Sequence, residues 1–215
     1  MSDKHLIFAE RDIVCFLADY RVKNRQGTSI FECIMDAKSA IRYIRENADR
    51  FNIDKDKIIA SGESSGGYLA AADAIITHYD DPTDNLSISP KPNALVLFNP
   101  IIDFGPGFKD GYERFSGDKY KEMSPLHNIS KGTPPTIIFL GTEDKFVPTV
   151  TAEYYKLAME GVGSRCDLFL YEGQAHGFFN FSRSEEYYKK TVYEADKFLI
   201  SLGYLKGEPT IMDED

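Results

Sequence analysis

Lys57-Ile-Ile-Ala-Ser-Gly-Glu-Ser-Ser-Gly-Gly67 is the stretch that decides the fold of this chain. A short apolar run leads straight into G-x-S-x-G-G, and an Ala-rich segment of helical composition follows at once. The order this predicts is strand, sharp turn, helix, with Ser64 at the apex of the turn. Gly62 and Gly66 leave both flanks of the turn without side chains, which permits a strained backbone that projects the Ser64 hydroxyl outward. The helix that follows aims its first amides, that of Ser65 foremost, at the place where negative charge builds up when a serine attacks a carbonyl. A plain helix N-cap needs no flanking glycines, and a phosphate loop needs a lysine after them, which this stretch lacks.

Outward from this turn the chain alternates. Short apolar runs at residues 13–18, 57–61, 94–98, 136–140 and 167–171 carry few charges, as strands covered on both faces do. Helical patterns sit between most of them. The clearest begins at Ser29, where Ser-Ile-Phe-Glu forms a capping box and Ile30, Ile34, Ala37, Ile41, Ile44 and Ala48 fall on one stripe. Others follow Ser64, run over residues 149–161, and close the fold over 184–202. Alternation of this kind predicts an α/β fold: a mostly parallel sheet with helices on both faces, in three layers, spanning residues 1–202. Residues 103–133 break the rhythm with Gly, Pro, Lys and aromatic side chains in no clean period, and are read as a cap-like insertion over the site. The polar tail 203–215 is expected to be loose.

Bulk properties narrow the function. Net charge is −9, from 34 acidic and 25 basic side chains, which argues against a nucleic-acid or anionic-membrane surface. No apolar stretch approaches the roughly 20 residues of a membrane span. Cys15, Cys33 and Cys166 are scattered and odd in number; Cys15 and Cys166 fall in predicted strands and read as buried free thiols. The opening Met-Ser-Asp-Lys-His has no signal-peptide pattern, which implies a cytoplasmic protein, or a secreted or periplasmic one if the N-terminus is incomplete.

A serine hydroxyl is a weak nucleophile until a base takes its proton, and the base needs a carboxylate to hold its tautomer. The run from Thr136 through Leu-Gly-Thr-Glu-Asp places Asp144 just beyond one strand, and that from Asp167 to Gln-Ala-His-Gly places His176 beyond the next. Side chains past the carboxyl ends of parallel strands converge on one edge of a sheet. Ser64, Asp144 and His176 are therefore the candidate catalytic group, with Glu143 and Asp103 as substitutes for the acid. His5, His78 and His127 have no metal-ligand spacing, so no metal and no cofactor is implied.

Several motifs together resemble one family. Ala18-Asp-Tyr-Arg21, Gly62-Glu-Ser-Ser-Gly-Gly67, Ser124-Pro-Leu-His-Asn-Ile129, Pro134-Pro-Thr-Ile-Ile-Phe-Leu-Gly-Thr-Glu-Asp144 and Ala175-His-Gly-Phe-Phe-Asn180 are similar to the α/β-hydrolase esterases and lipases, including feruloyl- and acetylxylan-esterase-like enzymes and the hormone-sensitive-lipase branch. The resemblance implies a serine esterase for short-chain carboxylic esters, plausibly acetyl groups on sugars or xylan, with a small-molecule substrate. It also implies an oxyanion hole in which Ser65 N–H is the one assignable donor. Relatives carry a His-Gly-Gly-type loop before their first helix, whereas this chain opens within what resembles that helix, at residues 4–11. The expectation is therefore an N-terminally truncated fold lacking a central strand and one oxyanion donor. Two other readings share the same residues: a prolyl-oligopeptidase-like peptidase, and a catalytically weak or inactive fragment used for binding or assembly. The run Ile-Val-Cys-Phe-Leu-Ala at 13–18 is apolar on both faces and carries no charge to blunt an unpaired edge, which predicts a homodimer with its interface on the N-terminal side of the sheet.

Overall fold

Four of the five apolar runs become strands, and all four are parallel neighbours in one sheet. In the computed structural model, which describes residues 4–105, 108 and 119–211, the elements in chain order are α1 (Lys4–Ala9), α2 (Lys23–Gln26), α3 (Ile30–Glu46), α4 (Ala48–Phe51), β1 (Ile59–Glu63), α5 (Ser65–Ile75), β2 (Ala94–Phe98), α6 (Tyr120–Met123), α7 (Pro125–Asn128), β3 (Thr136–Gly141), α8 (Thr149–Gly161), β4 (Cys166–Tyr171) and α9 (Glu185–Ser201). The sheet order is β1-β2-β3-β4. Two compact units result, Ala18–His176 and a second made of Met1–Leu17 with Gly177–Asp215.

The sheet lies wholly in the unit Ala18–His176. On one face Leu95, Leu97, Ile138 and Leu140 join Ile41 of α3, Ala70, Ala71 and Ala74 of α5, and Ala152, Tyr155 and Met159 of α8 in one apolar cluster. On the other face Phe98 pairs in register with Phe139, and Phe139 with Phe169. Their ring centroids lie 5.0 and 5.7 Å apart. A row of aromatic cross-strand pairs resists slippage, because a one-residue shift would turn every ring to the opposite face. The row sits near the carboxyl ends of three strands, and the loops that carry the candidate residues leave from there.

Helix α3 begins as its sequence reads: Ser29 accepts from Phe31 N–H, and Glu32 accepts from Ser29 N–H at 2.8 Å, completing the capping box. Its buried stripe also holds two cations that an apolar-period reading passes over. Lys38 Nζ donates to His78 O (2.6 Å) and to Asp80 (3.3 Å). Arg42 donates to Asp80 (2.6 Å), Asp84 (3.1 Å) and Ile88 O (3.0 Å). These bonds lash the connection between α5 and β2 to α3.

Four expectations are corrected. Residues 13–18 form no strand: no ladder takes up their backbone among the described residues, and Val14, Phe16 and Leu17 are exposed. Cys15 is consequently half-buried outside any strand, while Cys166 is buried in β4, where burial pushes its thiol up to about 12. The strand expected at 57–61 is displaced to Ile59–Glu63, nearer the turn. The tail is anchored as far as it is described, since Glu208 O accepts from Arg11 (2.7 Å), Thr210 N–H donates to Asp196 (3.4 Å) and Leu205 is buried. Of the cap-like segment 103–133, residues 106–107 and 109–118 lie outside the described residues; the rest includes α6 and α7.

Arg42→Ala should destabilise the protein by about 3 kcal/mol, because it takes the cation from Asp84 and leaves Asp80 with Lys38 alone. Lys156→Ala, which breaks an exposed pair with Glu160, should stay within about 0.5 kcal/mol. Urea unfolding of both variants measures the contrast.

Candidate active site

Ser64 follows β1 directly and stands just before α5 with φ 53° and ψ −114°. That is a left-handed backbone for a residue with a Cβ, a strain of about 1–3 kcal/mol that the surroundings must impose. They do so from both sides. Ser64 N–H donates to Phe98 O (3.0 Å), and Ser64 O accepts from Tyr68 N–H (3.0 Å) and Ile101 N–H (3.4 Å). A Cβ on Gly62 would lie 2.3 Å from the carbonyl carbon of Gly66 and 2.7 Å from Gly67 N, so strand and helix pass too closely for any side chain there. Gly67 is similarly close to Gly62 O and to Pro100, at 3.0 Å each. Gly66 differs: nothing lies within 4 Å of the Cβ it would carry, so its expected steric role belongs to Gly67. Ser65 occupies the first turn of α5, where backbone N–H groups have no intrahelical acceptor.

His176 Nδ1 and Asp144 Oδ2 are 2.7 Å apart. The Asp144 side chain is fully buried, and that of His176 is 23% exposed. Asp144 Oδ1 accepts from Phe146 N–H (2.8 Å) and Val147 N–H (3.0 Å), so both carboxylate oxygens are engaged. Burial alone would raise the Asp144 carboxyl, but the bond to His176 and those from Val147 and Phe146 outweigh it and hold it below the ordinary carboxylate range. The Phe146 ring packs edge-on against His176, with centroids 5.1 Å apart.

The acid and the imidazole meet because their loops do. A Cβ on Gly141 would lie 2.0 Å from Gln174 O, so the end of β3 presses against the backbone two residues before His176. Glu143 N–H donates to Gln174 O (2.9 Å), Thr142 N–H to Tyr171 O (3.0 Å), and Gly173 N–H to Thr142 Oγ1 (2.8 Å). Sequence reasoning passed over Gly141, and the signal available to it was a glycine between an apolar strand and Thr-Glu-Asp. Of the substitute acids, Asp103 faces His127 instead, Oδ1 to Nε2 at 3.3 Å, and Glu143 is used through its backbone. His78 packs against Tyr79, and no cluster suited to a metal occurs among the described residues.

With this geometry in place, known proteins can be compared. Residues 1–108 match the BD-FAE family model and residues 108–202 the dienelactone hydrolase family model. The structure of Thermogutta terrifontis esterase 2 phosphorylated by paraoxon superposes with a TM-score of 0.87 at 42% identity, over 94% of this chain and 75% of that one. This chain belongs to the α/β-hydrolase esterases. The propionate-bound form of the same Thermogutta esterase gives a TM-score of 0.86 at 41% identity, over 94% and 76%. The acetylxylan esterase of Xylanibacter ruminicola is 25% identical over 205 residues, which are 90% of this chain and 40% of that protein. Esterase LipC of Mycobacterium tuberculosis is 25% identical over 185 residues, or 77% and 45%. The chain thus spans less than half the length of these curated relatives.

Two outcomes are expected. Gly141→Ala should cost about 3 kcal/mol, since its methyl meets backbone, whereas Gly66→Ala should stay within about 1 kcal/mol; urea unfolding tests both. The depressed Asp144 carboxyl contributes stability that is present above its unfolded value of roughly 3.9 and is lost as pH falls through its lower folded value. The stability difference between wild type and Asp144→Asn should therefore shrink as pH is lowered from 5 to 2. A constant difference would contradict it.

Proposed function

We propose that this chain is a serine esterase for short-chain carboxylic esters, acting through an acyl-enzyme on Ser64. The observation that carries the reading is the strained backbone of Ser64 at the head of α5, beside a sheet whose later loops hold His176 on a buried Asp144. His176 takes the Ser64 proton through Nε2, because Nδ1 faces Asp144. Oγ attacks the acyl carbon, and Ser65 N–H receives the oxyanion at the positive end of the helix. The imidazolium formed is stabilised by the ionised Asp144 and returns its proton to the leaving alcohol. Water then repeats the sequence on the acyl-enzyme. No step calls for a cofactor.

The kinship to an acetylxylan esterase supports acetyl esters of sugars or xylan as the substrate class. The polar composition of 103–133 favours short acyl groups over long ones, since a lipid-binding lid needs extensive apolar surface. A homodimer is part of the same proposal. Val14 is 49% and Leu17 63% exposed in an uncharged apolar segment that pairs with no strand among the described residues, and exposed apolar surface of that kind drives association.

Ser64→Ala should abolish covalent labelling by a fluorophosphonate probe, and wild type should hydrolyse p-nitrophenyl acetate faster than long-chain esters or aminoacyl-peptide substrates. Labelling of Ser64→Ala at the wild-type rate removes the nucleophile assignment, and preference for the peptide substrate turns the reading to a peptidase. Sedimentation at micromolar concentration should give a dimer that Leu17→Asp dissociates; a monomeric wild type contradicts the assembly.

A further inference from the structure

Two residues past Asp144 the chain presents to water a phenyl ring that the core does not use. Phe146 is 63% exposed, whereas its neighbour Val147 is 2% exposed and belongs to the apolar cluster shared by the sheet, α5 and α8. A polar side chain at this position would avoid holding a large apolar surface in water. The aromatic contact that the ring does make is with His176, at 5.1 Å between centroids and 68° between planes. We propose that Phe146 is a specificity residue: its exposed surface receives the ring of the leaving alcohol, so that the site selects esters of saturated cyclic alcohols, a pyranose above all. The proposal rests on the reading of Ser64, Asp144 and His176 as the relay of an esterase.

The direction of proton transfer assigns the ring to the alcohol. To take a proton from His176, the leaving oxygen must come within about 3 Å of Nε2. Nδ1 faces Asp144, so that oxygen meets the imidazole on the edge away from the acid. An imidazole is narrower than a pyranose, and Phe146 touches it, so a ring bonded to the leaving oxygen comes within reach of the phenyl. The acyl carbon is held by Ser64 instead. A pyranose offers a face of C–H bonds, whose slightly positive hydrogens suit the negative face of an aromatic ring. Its hydroxyls lie at the rim, where they keep their water. A short straight-chain alcohol is too narrow to cover the same surface.

A binding platform contributes most when it is rigid before the ligand arrives. Phe146 N–H donates to Asp144 Oδ1 (2.8 Å), and Val147 N–H donates to the same oxygen (3.0 Å). Just beyond, Thr151 N–H and Oγ1 both donate to Pro148 O, at 3.0 and 2.7 Å, closing the turn into α8. The carboxylate that orients His176 thus also fixes the backbone that carries the phenyl. Base and platform are set by one group.

Cyclohexyl acetate and ethyl acetate test the proposal, because they carry the same acyl group on alkanols of similar acidity and differ in the ring. Phe146→Ala should lower the ratio of their kcat/KM values, cyclohexyl over ethyl, by about 10-fold, mainly through KM. Phe146→Leu should lower it by about threefold, and Phe146→Tyr, which keeps the ring, should preserve it. A singly acetylated methyl xyloside should follow cyclohexyl acetate. The preference for acetyl over butyryl p-nitrophenyl esters should be the same in wild type and Phe146→Ala, since the acyl group lies elsewhere. If Phe146 only shields or orients His176, Phe146→Ala slows both acetates equally and moves the acid limb of the pH profile. That result overturns the proposal, as does a ratio within about twofold of wild type, or a loss confined to phenyl acetate. Ser64→Ala separates the two claims. If it hydrolyses these acetates at the wild-type rate, the nucleophile reading has failed and the proposal falls with it; if it is inactive, the ratio in the Phe146 variants decides.

Discussion

The near-contact of Gly62 with Gly66 and Gly67 is the constraint on which the rest of the site depends. Strand β1 and helix α5 can follow one another without a loop only if their backbones touch, and they touch where a Cβ would overlap a carbonyl. That closeness forces the change of direction onto Ser64, whose left-handed φ is the cost. The hydrogen bond that Ser64 N–H donates to Phe98 O, and those that Ser64 O accepts from Tyr68 and Ile101, distribute the cost over β2, α5 and the segment beyond β2. Strain at this residue is sustained by packing elsewhere, as the buried alanine face of α5 and the aromatic row Phe98, Phe139 and Phe169 indicate.

A second close approach does for Asp144 and His176 what the first does for Ser64. Gly141 against Gln174 brings the loop after β3 onto the loop after β4, and His176 comes to lie over Asp144 without either residue being near the other in sequence. Because Asp144 is buried and accepts three hydrogen bonds, its orientation is settled by its surroundings and not by the imidazole alone. The proton relay proposed for this site depends on such orientation, since a carboxylate free to rotate would not select one histidine tautomer.

Much of this was legible in the sequence, and the failures have physical causes. Strands β2, β3 and β4, helix α8 and the capping box of α3 could be read locally, because apolar period and capping chemistry act over a few residues. The meeting of Asp144 with His176 was legible because both follow strands of a parallel sheet. Residues 13–18 looked like a strand by composition, yet a strand exists only with a neighbour to pair with, and composition says nothing about neighbours. Lys38 and Arg42 are buried because carbonyls and carboxylates forty residues away receive them. Gly66 and Gly141 make the same point in opposite directions: a glycine's importance lies in what faces it, which is a backbone 33 residues away at Gly141 and nothing within 4 Å at Gly66. The contact of Phe146 with His176 joins two separate loops and has no local signature.

The central claim is a covalent acyl-enzyme on Ser64, and the direct measurement is its capture. Wild-type protein mixed with p-nitrophenyl acetate, quenched in acid within the first turnover and digested for mass spectrometry, should carry one acetyl group on the peptide containing the turn, with fragmentation placing it on Ser64 and not on Ser61 or Ser65. An acetyl group on any other residue, or hydrolysis that proceeds while no acetylated peptide forms in wild type, would contradict the account.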